Sequence, residues 1–438
     1  MRIEPVHRLV GHVAVPGDKS ISHRSVLIGA LCDGETRISG FGRSADTEAT
    51  IEAVRALGVQ VDELEEDTLV VRGRGLRGLV APGRPIDCRN AGTLVRLLAG
   101  ILAGQDGQRF ELTGDASLSA RPMERVTEPL GRMGAGVETD DGHLPMGIDA
   151  RGLHAITYEL PVASAQVKSA ILLAGLYADG ETTVVEPVPT RDHTELMLEA
   201  AGARIVRRPT SVTVWPAERL ELGEIEVPGD FSSAAPFIVA ATLVPRSELH
   251  IHGVNLNPRR TGLLEILSRM GANVTVYNRR RIAGEPAGDL EVRSADLVAT
   301  TVTAKEVPLA IDELPLFALA ASCAHGDSVL RGAEELRAKE SDRIAATADA
   351  LRALRQHVRA TDDGFRIRGV PARPRGGRIE SRGDHRIAIL GTVAALDSQQ
   401  GVEIEDAECV AVSFPGFFEL VERLRRSAIE ADRDHRPE

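Results

Sequence analysis

Aromatic residues make up only 3% of this 438-residue chain, with one Trp, three Tyr and nine Phe. Proteins that hold single-stranded nucleic acid stack its bases on aromatic faces, so that mode of binding is poorly served. Positive charge is not in excess either. The 64 acidic and 52 basic residues leave a net charge of −12, which opposes nonspecific attraction to nucleic acid and requires any anion site to be a focused pocket. No apolar run reaches the ~20 residues of a membrane span, so neither nucleic acid nor membrane is expected as a partner. The opening Met-Arg-Ile-Glu-Pro-Val-His-Arg lacks the apolar core and cleavage site of a secretion signal, which leads to the expectation of a cytoplasmic protein. Cys32, Cys88, Cys323 and Cys409 are far apart and form no Cys-x-x-Cys, so they read as free, mostly buried thiols of a reducing compartment.

The length favours two or three domains. Internal similarity then supplies a period: a polar turn, a short Ala- and Leu-rich helix, another turn and a β-rich stretch. The copies open at Gly17-Asp-Lys-Ser, Arg89-Asn-Ala-Gly-Thr, Ser164-Ala-Gln-Val-Lys, Gly229-Asp-Phe-Ser-Ser, Ile311-Asp-Glu-Leu-Pro and Gly383-Asp-His-Arg, at a spacing of roughly 65 to 85 residues. Each opening offers Ser, Asp or Asn as an N-cap, and each helix is apolar on most faces, which predicts burial on all sides. Amphipathic second helices are expected over 47–58, 124–134, 194–202, 262–271 and 342–354, several stopping at Gly, with strands such as 137–139 and 274–277 between. Three units fit before about Pro228 and three after, giving an α/β protein of two pseudo-threefold domains with a cleft between them. The last dozen residues, from Ser427, read as a charged, frayed tail.

Helix N-termini carry unpaired N–H groups and a positive dipole end, and these openings add Lys, Arg and Ser, a combination suited to several phosphates or carboxylates at once. Taken singly, each opening is an ordinary capped helix. Together, Pro16-Gly-Asp-Lys-Ser-Ile-Ser-His-Arg24, Asn90-Ala-Gly-Thr93, Arg121-Pro-Met-Glu124, Lys339-Glu-Ser-Asp-Arg343 and Asp384-His-Arg386 resemble the signatures of the 5-enolpyruvylshikimate-3-phosphate (EPSP) synthase family. They stand in family order over roughly nine tenths of the chain.

The resemblance implies two domains, each an inside-out α/β barrel of three repeats with buried parallel helices and outer sheets. One would be residues 18–229 and the other 1–17 plus 230–438, with the active site in the cleft and complete only on closure. It implies attack of the 5-hydroxyl of shikimate 3-phosphate on C2 of phosphoenolpyruvate, protonation at C3, and loss of phosphate from a tetrahedral adduct. Phosphoenolpyruvate would be held by Lys19, Arg121, Gln166, Arg343 and Arg386, with Gly92 giving a backbone N–H and room for the ligand. Shikimate 3-phosphate would take Lys19, Ser20, Arg24, Ser164, Ala165, Gln166, Arg191, Asp312 and Lys339. Asp312, helped by Lys19, is the expected base, Glu340 the acid at carbon and His385 an assistant; a pair between Glu340 and a nearby Arg is the alternative. His23, His193 and His385 lack zinc-ligand spacing, so no metal and no cofactor are expected. A monomer is the default, and glyphosate is expected to compete with phosphoenolpyruvate.

Two departures bear on this. Val412-Ser-Phe-Pro415 lacks the Lys that many relatives carry before the aromatic-Pro motif, which points to a subgroup without it, and Ala165 replaces a Ser. The sister enzyme acting on UDP-N-acetylglucosamine has a Cys where Gly114-Asp-Ala-Ser-Leu-Ser-Ala-Arg-Pro122 has Ala116, which disfavours it. A noncatalytic scaffold would leave the charges at the helix openings without purpose, and an RNA-end cyclase would want a basic stripe.

Overall fold

The computed structural model describes the backbone of residues 1–433 and the side chains of residues 1–428. It divides into a first unit, Gly17–Pro228 with Arg281–Glu285, and a second, Met1–Pro16 with Gly229–Arg280 and Pro286–Glu438. The grouping of Arg281–Glu285 with the first unit had no sequence signal.

In the first unit the apolar runs form helices Lys19–Leu31, Gly92–Ala103 and Ala165–Gly175, buried along almost their whole length. The middle helix packs on both others. Its contact with Ala165–Gly175 requires glycine, because a Cβ on Gly100 would lie 2.2 Å from the Ala170 carbonyl oxygen. Three four-stranded sheets cover these helices. In two of the repeats a short strand leads through the buried helix to a parallel neighbour, and in all three an outer helix leads on to two antiparallel strands. One sheet runs Ile86–Asp87, Arg109–Thr113, His143–Asp149, Gly136–Asp140, and another Thr157–Glu159, Thr182–Val185, Ser211–Val214, Ile205–Arg208. In the third, Glu224–Glu226 at the end of the unit lies parallel to Glu35–Ser39 at its start and so closes the set. Burial alternates along the strands, as at Val212 and Val214, because one face rests on helices and the other meets water.

The second unit repeats the plan around Phe231–Leu243, Leu314–Ser322 and His385–Leu396, which pack on one another. Its third sheet has three strands, with Arg2–Ile3 antiparallel to Val402–Glu405 and Gly377–Glu380 parallel to it. Each unit is therefore three α/β repeats with helices inside and sheets outside.

The outer helices span Ala45–Ala56, Glu124–Arg132, His193–Ala200, Gly262–Arg269 and Arg343–Ala353, within two residues of the expected bounds. A sixth helix, Phe417–Arg433, corrects the expected frayed tail. Phe417, Leu420, Val421, Leu424 and Ala428 recur at helical spacing and are buried, which anchors a segment whose charge suggested a loose end. Residues 434–438 of that tail lie outside the described residues. No helix among the described residues is long and apolar enough to cross a membrane. Burial pushes the Cys32 and Cys323 thiols up to about 12, so these sulfurs stay protonated at neutral pH.

Candidate active-site residues

In the first unit, Asp18 caps helix Lys19–Leu31 by accepting from the Ile21 N–H at 3.0 Å, which sets Lys19 on the first turn. Lys19 Nζ lies 2.8 Å from Asp46 Oδ2, a partner the sequence did not announce. One turn on, Arg24 is 4% exposed. Its Nε donates to Thr194 Oγ1 at 2.6 Å, its Nη1 to the Ser20 carbonyl at 2.8 Å and its Nη2 to Ser169 Oγ at 3.0 Å. Burial, together with the neighbouring Arg191 cation, lowers the Arg24 pKa to about 10 despite Glu195, Asp18 and Glu285. Arg191 is thus close enough to Arg24 for the two charges to interact. Ser164 caps the next helix by accepting from Val167 N–H at 3.4 Å, with Ala165 as its first residue.

Helix Gly92–Ala103 corrects the expectation that every opening is side-chain capped, since its N-cap is Ala91. Asn90 instead accepts from Arg121 Nη2 at 2.6 Å and donates to Asp115 Oδ2 at 2.8 Å. The Gly92 N–H is taken by the Asn90 carbonyl at 2.9 Å. What Gly92 contributes is space: a Cβ there would lie 2.8 Å from Arg96 Nη1 and 3.2 Å from Arg121 Nη1. Arg96 was not among the expected residues. It donates to Gln166 Oε1 at 3.2 Å and to the Gly92 carbonyl at 3.0 Å, while Gln166 Nε2 donates to Thr93 Oγ1 at 3.0 Å. Its signal was present, because residues four apart share a helix face and Arg96 follows Gly92 by four.

In the second unit, Arg343 is 2% exposed and gathers three carboxylates. Its Nε donates to Asp384 Oδ2 at 2.9 Å and its Nη2 to Glu340 Oε2 at 2.5 Å, while Nη1 lies 3.6 Å from Asp312 Oδ1. Burial would lower the Arg343 pKa, but Glu340, Asp384 and Asp312 hold it well above its ordinary value. Asp384 is likewise pushed up by burial and pulled further down by Arg343, so it remains a carboxylate. It also caps the last buried helix by accepting from Arg386 N–H at 2.9 Å, with His385 Nδ1 3.9 Å from its Oδ1. Lys339 stands beside Glu340, just after a short 3-10 turn at Glu334–Ala338. The pair considered as the alternative for Glu340 is therefore present, on the same cation that Asp312 approaches.

A second cluster sits beside this one. Glu313, fully buried, accepts from Ser232 Oγ at 2.5 Å and from Arg260 Nη1 at 2.8 Å, and Arg386 Nη2 donates to Ser232 Oγ at 3.0 Å. Glu313 is the N-cap of Leu314–Ser322 but makes no capping bond, a second exception to the capping expectation. Ser232, Arg260 and Glu313 were missed; adjacency to Asp312 was the only hint for the last. Of the other histidines, His23 Nδ1 is 2.6 Å from Thr50 Oγ1 and burial lowers its pKa to about 3, while His193 Nδ1 is 2.7 Å from Glu285 Oε1. Both are buried structural groups. Among the described residues no three His, Cys, Asp or Glu side chains are grouped to hold a metal ion.

Arginines at or near helix openings, and two carboxylates that meet one buried guanidinium, make a charged lining suited to small, multiply charged ligands. The fold is shared with the structure of an enolpyruvyl transferase, NikO from Streptomyces tendae, at a TM-score of 0.75 and 22% identity, covering 97% of this chain and 96% of that one. The sequence profile of EPSP synthase (3-phosphoshikimate 1-carboxyvinyltransferase) matches residues 3–421, and the chain belongs to that family. A 3-phosphoshikimate 1-carboxyvinyltransferase from Alkalilimnicola ehrlichii is 51% identical over 95% of this chain and 94% of that protein. One from Acidithiobacillus ferrooxidans is 50% identical over 96% of each. An EPSP synthase structure from Acinetobacter baumannii has a TM-score of 0.87 at 44% identity, covering 97% of both chains.

Proposed function

We propose that this protein transfers the enolpyruvyl group of phosphoenolpyruvate to the 5-hydroxyl of shikimate 3-phosphate, with release of inorganic phosphate. The observation that carries the reading is the buried Arg343, contacted by both Asp312 and Glu340. The reaction needs a base for a hydroxyl proton and an acid for a carbon, held close together.

In this reading Lys19, Arg121, Arg343 and Arg386 grip phosphoenolpyruvate beside the bare backbone of Gly92, with Gln166 between the two substrates. Ser20, Arg24, Ser164, Ala165, Arg191 and Lys339 take shikimate 3-phosphate, its phosphate falling to the converging Arg24 and Arg191. Asp312, assisted by Lys19, removes the 5-hydroxyl proton as the oxygen bonds to C2. Glu340 gives its proton to C3, His385 helps to orient it, and a tetrahedral adduct results. Loss of a C3 proton and cleavage of the C2–O bond then expel phosphate. The protein is proposed to act as a cytoplasmic monomer, since every group required is in one chain and both substrates are charged small molecules.

The test is phosphate release from purified protein given both substrates, with each omitted in turn, EDTA added, and Lys19→Met as control. Release that needs both substrates, survives EDTA and is lost in the control supports the reading. Release on UDP-N-acetylglucosamine instead would move the activity to the sister reaction.

A further inference from the structure

Three ionisable side chains in the first unit are fully buried and have no role in the chemistry above; burial pushes the Glu195 carboxyl above its usual range against the pull of Lys168. Lys168 Nζ lies 2.6 Å from Glu195 Oε1 and 3.1 Å from Glu186 Oε1, and Lys168 and Glu195 are 0% exposed while Glu186 is 2% exposed. Burying charges costs several kcal/mol each before they attract one another, so such a triad is weak evidence of stability for its own sake. Its connections suggest what it secures. Glu186 Oε1 accepts from the Thr190 N–H at 3.1 Å and from the Thr190 hydroxyl, and Lys168 Nζ donates to the Thr190 carbonyl at 3.5 Å. That carbonyl belongs to the peptide joining Thr190 to Arg191. The backbone immediately before Arg191 is thus gripped on both its donor and its acceptor side by buried ions.

The same group reaches Arg24. Ser169, next to Lys168, and Thr194, next to Glu195, share a hydrogen bond at 2.7 Å, and each accepts from the Arg24 guanidinium. Burial is the main cause of the lowered Arg24 pKa, and the nearby Arg191 cation, which repels Arg24, lowers it further. Without a rigid support the two cations would drift apart when no anion lies between them.

We infer that Lys168 and Glu186 are positioning residues, which fix the Thr190–Arg191 peptide so that Arg191 and Arg24 present a pre-set grip to the phosphate of the acceptor substrate. The inference rests on the reading of Arg24 and Arg191 as that grip. A pre-oriented guanidinium saves the ordering cost at binding, so the effect falls on the affinity for one substrate and not on the chemical step.

The experiment uses the full chain with Glu186→Gln and Lys168→Met, each near in shape to the original, alone and combined with Arg191→Ala. Calorimetry gives the Kd for shikimate 3-phosphate, and steady-state kinetics give both KM values and kcat. Glu186→Gln is expected to weaken shikimate 3-phosphate by about tenfold to a hundredfold, the range for misplacing a charge-assisted bond, and to leave kcat and the KM for phosphoenolpyruvate within about threefold. In the Arg191→Ala background the same change should add less than about twofold, because the group it positions is gone. Equal losses on both backgrounds, or equal rises in both KM values, would assign the triad to general folding and overturn the inference. If Glu186→Gln fails to fold, Thr190→Val, which removes only the hydroxyl contact, should give a smaller rise for shikimate 3-phosphate alone, and an unchanged Kd there would overturn it. Wild-type protein that binds shikimate 3-phosphate but releases no phosphate would refute the proposed activity and leave the positioning role to the Kd values. Wild-type protein that does not bind it at all would refute both.

Discussion

Replacing Arg343 by Met keeps a buried stem of similar shape and removes the cation that three carboxylates contact. The cost concentrates on Asp384, which is 0% exposed, whereas Asp312 and Glu340 are 18% and 29% exposed and can rely on water. Breaking a buried ion pair costs ~3–5 kcal/mol because the remaining charge is stranded. Asp384 keeps two donors, the Arg386 N–H at 2.9 Å and Ser341 Oγ at 2.9 Å, which places the expected loss at the lower end, about 3 kcal/mol. Arg343→Lys keeps a charge but not the fork that spans Asp384 and Glu340, so about 1–2 kcal/mol is expected. The pH dependence separates the two variants. In the wild type the Asp384 pKa is depressed, so its contribution is complete above the unfolded carboxylate pKa near ~3.9 and is lost as pH falls through the folded value. In Arg343→Met the main counterweight to burial is gone and that pKa rises, so the penalty is full at high pH and relieved as pH falls. Urea unfolding followed by circular dichroism at pH 8 and pH 5 should give a Met-variant deficit that shrinks at pH 5. A deficit below about 1 kcal/mol at pH 8, or one that grows on acidification, would refute the argument.

Gly92→Ala puts a methyl 2.8 Å from Arg96 Nη1 and 3.2 Å from Arg121 Nη1, so the KM for phosphoenolpyruvate should rise by about tenfold with that for shikimate 3-phosphate nearly unchanged; steady-state kinetics on each substrate decide it. Gly100→Ala must push apart a pair of buried helices, since the new Cβ would lie 2.2 Å from the Ala170 carbonyl oxygen, and should lose about 1–3 kcal/mol in urea unfolding, with a neutral result contradicting the packing account. His23, whose pKa burial lowers to about 3 from 6.5, excludes a proton that the unfolded chain binds, so it makes stability fall as pH drops from 6.5 towards 3, by up to about 1.4 kcal/mol per pH unit. Its ring signals in NMR should not titrate between pH 8 and pH 5, and a midpoint in that range would show that the ring is hydrated. Glyphosate should raise the apparent KM for phosphoenolpyruvate and leave kcat unchanged, which an inhibition series at fixed shikimate 3-phosphate tests directly.

The six buried helices were legible because a helix apolar on all faces announces itself in composition, and the motifs at their openings mark where polar groups must gather. The outer helices followed from periodicity and stopping glycines, such as Gly58 and Gly202, which take positive φ. Helix Phe417–Arg433 is harder to read because its many charges mask the apolar spacing that anchors it. Arg96 lies four residues after Gly92 on the same helix face, a spacing that local sequence does show. Arg260 and Glu313 had no comparable signal, for they are 53 residues apart and meet only through the packing of two repeats.

By itself the sequence determined the repeat, the class of fold, the family and the residue types at each helix opening, since these depend on local spacing, capping and composition. The tertiary structure decided which of those residues share a charge. Asp384 serves at once as a helix cap and as the buried counterion of Arg343, and Asn90 forgoes capping to hold Arg121. It also turned Lys168, one charge in an apolar run, into a clamp on the peptide before Arg191. Hydrogen bonds and ion pairs between segments tens of residues apart depend on distances of a few ångströms, and those are set by how helices and sheets pack, which no local pattern in the chain records.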